Sequence, residues 1–491
     1  MTRRPSAPLD PGTARRRFTA VTFLFWLPVG LYAPSLVLLL TERGLGLATV
    51  AGMFAVHSLT VAALELPTGG LSDVVGRRPV LAAAGLLNLT ALALLALGTG
   101  TAALALAMFL MGTGRALSSG PAEAWYVDTV QAHSGPAAEL RTGLARGGTA
   151  SAAALAVGTL TGGSLPWLLG LGPDWGARLT DASAGLVLPL SLPALLGSAV
   201  GLAFVAYVLT RLPEPPRAPA ALSDVLRGVP ATVLGGLRLG SGDALVRRLL
   251  LTAGAVGAAL GTVELLTPGR AAALTGASES GAVLFAALAC AGFVCTAVGS
   301  HAAPFVARRA GSGERAVPAC LGVAATGLLT LCVTVLWTGP AALTAAAIGY
   351  GLIYLGLGAA GPNENDLLHR RVDSAGRATA LSVQSLALQL VGALTGLIAG
   401  RLPAGPLPWL LGGTVLLAGA LLWLRHGRPA RPGAGPGASD PAVERRHEAV
   451  EVVAVDRVPR SLDRTDLEAA GPQRIGPLRR DQTAGVGELD E

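Results

Sequence analysis

No lysine occurs in this 491-residue chain: all 37 residues counted as Lys plus Arg are Arg. A Walker A loop needs a Lys on the nucleotide phosphates, and retinal or pyridoxal Schiff bases need a Lys amine. A P-loop pump and a Schiff-base protein are therefore excluded, and the Arg bias points to a high-GC, bacterial genome. Charge is scarce as a whole, at 14% of residues against the roughly 25% of soluble domains. A water-soluble protein of this size could not cover its surface with so little. Cysteine is scarce too: Cys290, Cys295, Cys320 and Cys332 all fall in apolar runs, with no Cys-x-x-Cys or Cys/His spacing. They read as small packing residues, and no metal site or cofactor is expected. The six His are scattered without a His-Glu-x-x-His pattern. A membrane-embedded enzyme or sensor would need nucleophile, base or metal ligands clustered at one depth, which the sequence does not offer.

What the chain does have is hydrophobic length. Hydrophobic residues make up 52% and the mean hydropathy is +0.57. Runs of about 18–24 residues recur, each able to cross a hydrocarbon core of about 30 Å. The expected spans are 18–40, 47–67, 79–98, 101–122, 143–165, 184–210, 247–267, 276–299, 316–337, 341–361, 379–400 and 406–424. The first run is too long for a signal peptide, and no Ala-x-Ala site follows it. It reads as a retained helix behind a short segment, 1–17. A Pro-opened loop, 211–246, divides two six-helix halves, 18–210 and 247–424. A tail over 425–491, rich in Pro, Gly, Arg and acidic residues, is expected to be disordered. Its Arg residues are interspersed with Asp and Glu, so nucleic acid is not an expected partner.

Arg placement orients the chain. With the N-terminus inside, inner segments up to Arg428 hold 23 Arg and outer loops hold only Arg43, Arg178, Arg270 and Arg401. The positive-inside rule then sets both termini in the cytoplasm of a cell that carries the protein in its inner, plasma membrane. Trp167, Trp175, Trp337 and Trp409 fall at outer ends, as an aromatic belt requires.

The two halves match internally. Gly120-Pro-Ala-Glu123 ends the fourth span and Gly361-Pro-Asn-Glu364 ends the tenth, 241 residues later. Arg77-Arg78 follows the second span and Arg308-Arg309 the eighth, 231 residues later. Parallel repeats of this kind are a transporter architecture, with substrate held near the midplane between the repeats.

The loop after the second span reads Gly69-Gly-Leu71-Ser-Asp73-Val-Val-Gly76-Arg77-Arg78-Pro-Val-Leu81. It resembles the cytoplasmic signature of the major facilitator superfamily, with Ser72 and Val74 as departures. The resemblance covers Phe18 to about Leu424 and implies an all-α fold of twelve transmembrane helices in two pseudo-symmetric six-helix bundles. It also implies that Asp73 helps to close the cytoplasmic gate against the other half. In the second half, His301 to Arg309 keeps the Arg pair but has Pro304 in place of the acid, so such a latch is asymmetric. Glu65-Leu-Pro-Thr68 also looks like the exporters of this superfamily. Arg115 is similar to an Arg tied to proton transfer in proton-driven exporters, although Gly120 follows it by five residues rather than four. Gly158-Thr-Leu-Thr-Gly162-Gly163 lies near the antiporter pattern but lacks its Gly-Pro.

A charge at mid-span costs about 2.5–3.5 kcal/mol on insertion scales, so each polar group in a span is a functional candidate. Arg115, His57 and Glu264 are candidates for proton coupling, with structural pairing, a buried core His and an interfacial carboxylate as their plainer readings. Trp26, Tyr32, Gln384 and Gln389 are candidates to line a substrate cavity, or to serve packing. Glu123, Asp128, Glu364 and Arg377 are candidate cytoplasmic gate residues. Gly392, Gly396 and Gly400, and Gly257 with Gly261, have the small-xxx-small spacing of close helix approach. The expectation is a monomeric secondary exporter of a small organic molecule, coupled to protons and embedded in the bilayer. A nutrient importer of the same fold is the alternative.

Overall fold

Apolar length and helix-ending residues together dictate the elements. The computed structural model of the chain describes residues 9–214, 238, 242–372 and 374–424. The expected tail and most of the central loop lie outside them. The elements are α1 (Pro11–Tyr32), α2 (Leu36–Glu42), α3 (Leu47–Gly69), α4 (Leu71–Val75), α5 (Arg77–Leu97), α6 (Thr101–Ser118), α7 (Pro121–Ser134) and α8 (Arg141–Leu169). They continue with α9 (Trp175–Ala182), α10 (Leu192–Arg211), α11 (Ala244–Thr275), α12 (Ser278–Ala310), α13 (Gly313–Thr334), α14 (Pro340–Arg371), α15 (Ser374–Ala399) and α16 (Pro406–Leu424). Among the described residues, eleven helices are long and apolar enough to cross a membrane, and twelve if α1 and α2 count as one span bent by 42°. Pro34 sits in that bend, where its missing N–H interrupts the ladder.

The repeat is visible in how the helices pack. In the first half α1 packs on α8 and α10, α5 on α6 and α10, and α3 on α6. In the second, α11 packs on α15 and α16, α13 on α14 and α16, and α12 on α14. These are the same five pairings, span for span.

Glycines set the closest of them. A Cβ on Gly30 of α1 would lie 3.0 Å from Gly158 Cα of α8, and one on Gly261 of α11 would lie 2.9 Å from the Gly392 carbonyl of α15. Lipid offers no hydrophobic drive between helices, so small residues that let backbones meet take that role.

At the Arg-poor face both halves use one device. Arg43 donates to the Ala96 carbonyl (2.6 Å) at the end of α5, and Arg270 donates to the Thr334 carbonyl at the end of α13. Each guanidinium meets the negative end of a helix dipole.

The halves also differ. Gly120 adopts φ 94° and breaks α6 from α7, whereas Gly361-Pro362 lies within the continuous α14. Trp167, Trp175 and Trp337 are exposed as a belt requires, but Trp409 is buried in the bundle.

Candidate functional site

Among the described residues, the main pairings that join the halves are α3 with α15, α8 with α12, and α2 with α11. At the Arg-poor face Gly400 abuts Leu47 and Ala51, and Gly163 abuts Ala282 and Ala286. Nearer the Arg-rich face, Ser385 donates to Glu65 across the halves at 3.1 Å. Glu65 thus reaches α15, while Thr68, one turn on, bonds the Ala116 carbonyl of α6 at 3.0 Å. The Glu65-Leu-Pro-Thr68 segment therefore ties α3 to both halves. Within the glycine-rich stretch of α8, Gly158 and Gly162 serve contact with α1, and Gly163 alone faces the other half.

Between the halves lies a cavity of about 430 Å³, within the size range of small-molecule sites. Glu264 and Gln389 line it from the second half, and Tyr32 and His57 from the first. A smaller cavity of about 160 Å³ inside the first half is lined by Trp26, Arg115 and Asn88 and shares Tyr32 and His57 as its wall. Trp26, Tyr32, His57, Arg115, Glu264 and Gln389 are thus brought together, whereas Gln384 lines neither space.

Among the described residues, the two charged members have no partner of opposite charge. Arg115 and Glu264 are exposed in these spaces, and among the described residues neither has an ion pair or a hydrogen bond from its side chain. The Arg115 guanidinium lies 5.3 Å from the centre of the Trp26 ring, a cation–π contact that leaves its N–H edge free. Tyr350 and Tyr354, with ring centres 4.8 Å apart, line the larger cavity beside Glu264. The sequence reading missed both tyrosines. They look like ordinary span residues, and their four-residue spacing on α14 was the available signal.

The expected gate residues behave unequally. Asp73 pairs with Arg77 Nη1 at 2.5 Å within its own loop, and Arg77 Nε lies 3.3 Å from Asp128. Glu123 is exposed in the first turn of α7, away from the cavities. Glu364 is buried, with Oε1 lacking a hydrogen-bond partner, while its neighbour Asn363 bonds the Ala303 and Ala359 carbonyls. Arg377 has its backbone in α15, and its side chain lies outside the described residues.

Sequence matching decides the family. The profile of the Major Facilitator Superfamily matches residues 18–396. This chain belongs to that superfamily. No curated protein sequence matches it significantly. Among solved structures, this chain is similar to a mutant of the nucleoside transporter NupG, with TM-score 0.65 and 12% identity, over 84% of this chain and 99% of that one. It is similar also to a D-xylose-proton symporter, with TM-score 0.63 and 15% identity, over 83% and 97%. A bacterial homologue of the human lysosomal transporter Spinster, described as inward-facing and unoccupied, matches with TM-score 0.62 and 15% identity, over 86% and 96%. At such identities the likeness is one of fold. The superfamily member is a multi-pass membrane protein and a transporter rather than an enzyme.

Proposed function

We propose that this superfamily member is a proton-coupled secondary exporter of a small organic molecule, working by alternating access between its two halves. The observation that carries the reading is the cavity walled by both halves, with Glu264 in it and Arg115 in the space adjoining it, each without an ion pair or side-chain hydrogen bond among the described residues. A structural role would pair such groups, because an unmet charge at this depth is costly.

The Arg-rich face is taken as cytoplasmic on the asymmetry of 23 Arg against 4, in a cell's inner, plasma membrane. Glu264 and His57 are the groups placed to exchange protons with the cavity, with Arg115 setting the local field. Rocking of α3 on α15 and of α8 on α12 would open the cavity to either side. Export direction rests on the likeness of Glu65-Leu-Pro-Thr68 and Arg115 to exporters.

The test uses the full chain in proteoliposomes of known sidedness with a trapped pH dye. Candidate substrates should drive proton movement opposite to their own, and Glu264→Gln should abolish it while leaving energy-independent exchange. Proton and substrate moving together would instead establish the importer. Unaltered proton movement in Glu264→Gln would remove that residue from coupling.

A further inference from the structure

The charges of the two adjoining cavities also specify what enters them. Glu264 projects from the second half and Arg115 from the first, on either side of the wall formed by Tyr32 and His57. Neither is neutralised by the other or by any described side chain. Each of these charges attracts a counter-charge of its own strongly in a poorly hydrated space, and leaving either unmet is the expensive outcome. A cation alone would satisfy Glu264 and leave Arg115 bare, and an anion alone would do the reverse.

We propose that the transported molecule is a zwitterion with an apolar middle, its ammonium held by Glu264 and its anionic group by Arg115. The proposal rests on the transport reading above and names the substrate class of the same site. The surroundings agree with it at each end. Beside Glu264, Tyr350 and Tyr354 line the cavity, and Phe285 meets Tyr350 edge-on at 6.4 Å. Such aromatic surfaces favour an alkylammonium. Arg115 is braced on Trp26 and keeps its planar N–H fork for a carboxylate or similar anion. Between them the shared wall presents Val29 and Met111 beside Tyr32 and His57, so an apolar middle has side chains to meet there. A ligand bridging the two charges touches both halves at once, so its binding favours the occluded arrangement in a way that a ligand at one end does not.

The experiment measures binding apart from transport. The full-length protein, purified in detergent, is titrated with 4-(aminoalkyl)benzoates of increasing chain length, and with the ethyl ester and N-acetyl derivative of each. Thermal stabilisation reports affinity. One chain length should bind best, and its ester and N-acetyl forms should each bind at least about tenfold more weakly. In Arg115→Gln the ester should bind as well as the parent compound, and in Glu264→Gln the N-acetyl form should. Singly charged forms binding as well as the zwitterion would overturn the proposal, and so would a lack of binding by the whole series at millimolar concentration. Zwitterion binding without any exchange in proteoliposomes would instead sink the transport reading and leave only the zwitterion-binding site standing.

Discussion

The carboxylate of Glu214 accepts the backbone N–H groups of Arg77 (2.8 Å) and Arg78 (3.0 Å), so a residue following α10 caps the N-terminus of α5. Trp125 of α7 fixes the same segment by donating to the Pro213 carbonyl at 2.8 Å. Arg78 in turn donates to the Leu209 carbonyl at the end of α10. Each helix end thus meets a side chain of the sign its dipole favours. Glu214→Ala should lower the melting temperature by a few degrees, in line with a cap worth about 1 kcal/mol. Glu214→Gln, which keeps an acceptor, should recover part of that loss. An Ala variant as stable as the parent would show the cap to be idle.

Asp73 takes no part in that cap. Its pair with Arg77 is half exposed, and exposed pairs contribute under about 1 kcal/mol. Arg77 also keeps Ser72 and Asp128 when Asp73 is changed. Asp73→Asn should therefore leave membrane insertion and melting temperature nearly unchanged. If Asp73 exchanges Arg77 for the other half when the Arg-rich face closes, transport should nonetheless fall about tenfold or more. Access to a cysteine introduced on that side of the cavity should rise in parallel. Normal transport with unchanged access would reduce the motif to a topology signal.

The spans were legible because apolar length is a property of the sequence alone, and the repeat because Gly120-Pro and Gly361-Pro recur in register. Their ends were less so. Helix α14 runs to Arg371, ten residues past its expected end, because Asn363 to Arg371 are mostly polar yet contain nothing that stops a helix. Helix α9 was missed altogether, although Asp174 caps it through the N–H of Ala177 at 3.0 Å. Eight residues are too few to show a period against a loop. Arg115, Trp26 and Glu264 were each found as polar or aromatic residues inside spans. Their grouping was not visible, because helices distant in sequence bring them together. Glu214 was read as part of a Pro-rich linker, since its partners lie 137 residues away or nearly so.

A second ion pair, at the start of α11, gives a pH prediction. Burial raises the Asp243 carboxyl. The hydrogen bond from Arg371 Nε (2.5 Å) and those from the Val246 and Leu245 N–H groups outweigh it and leave the group below its ordinary value. A carboxyl depressed on folding contributes stability above its unfolded value of about 3.9 and loses it as pH falls through the folded value. The difference in melting temperature between the parent and Asp243→Asn should stay constant from about pH 8 to 5 and shrink only in stronger acid. Shrinkage already near neutral pH would mean that Asp243 is not held in its charged form.

Two glycines on neighbouring faces should respond in opposite ways. A Cβ on Gly257 would overlap the Leu388 carbonyl oxygen, which belongs to the backbone of α15 and cannot turn aside. Gly396, on α15 itself, lines the central cavity and has no atom within 4 Å of where a Cβ would sit. Gly257→Ala should push α11 from α15 and destabilise the second half by about 1–3 kcal/mol. Gly396→Ala should leave stability within about 0.5 kcal/mol of the parent, while its methyl group narrows the cavity and weakens binding of the largest ligands. Melting temperature and ligand affinity, measured on both variants, separate the two effects. Equal destabilisation would show that the glycines serve helix flexibility rather than close approach at one position and cavity volume at the other.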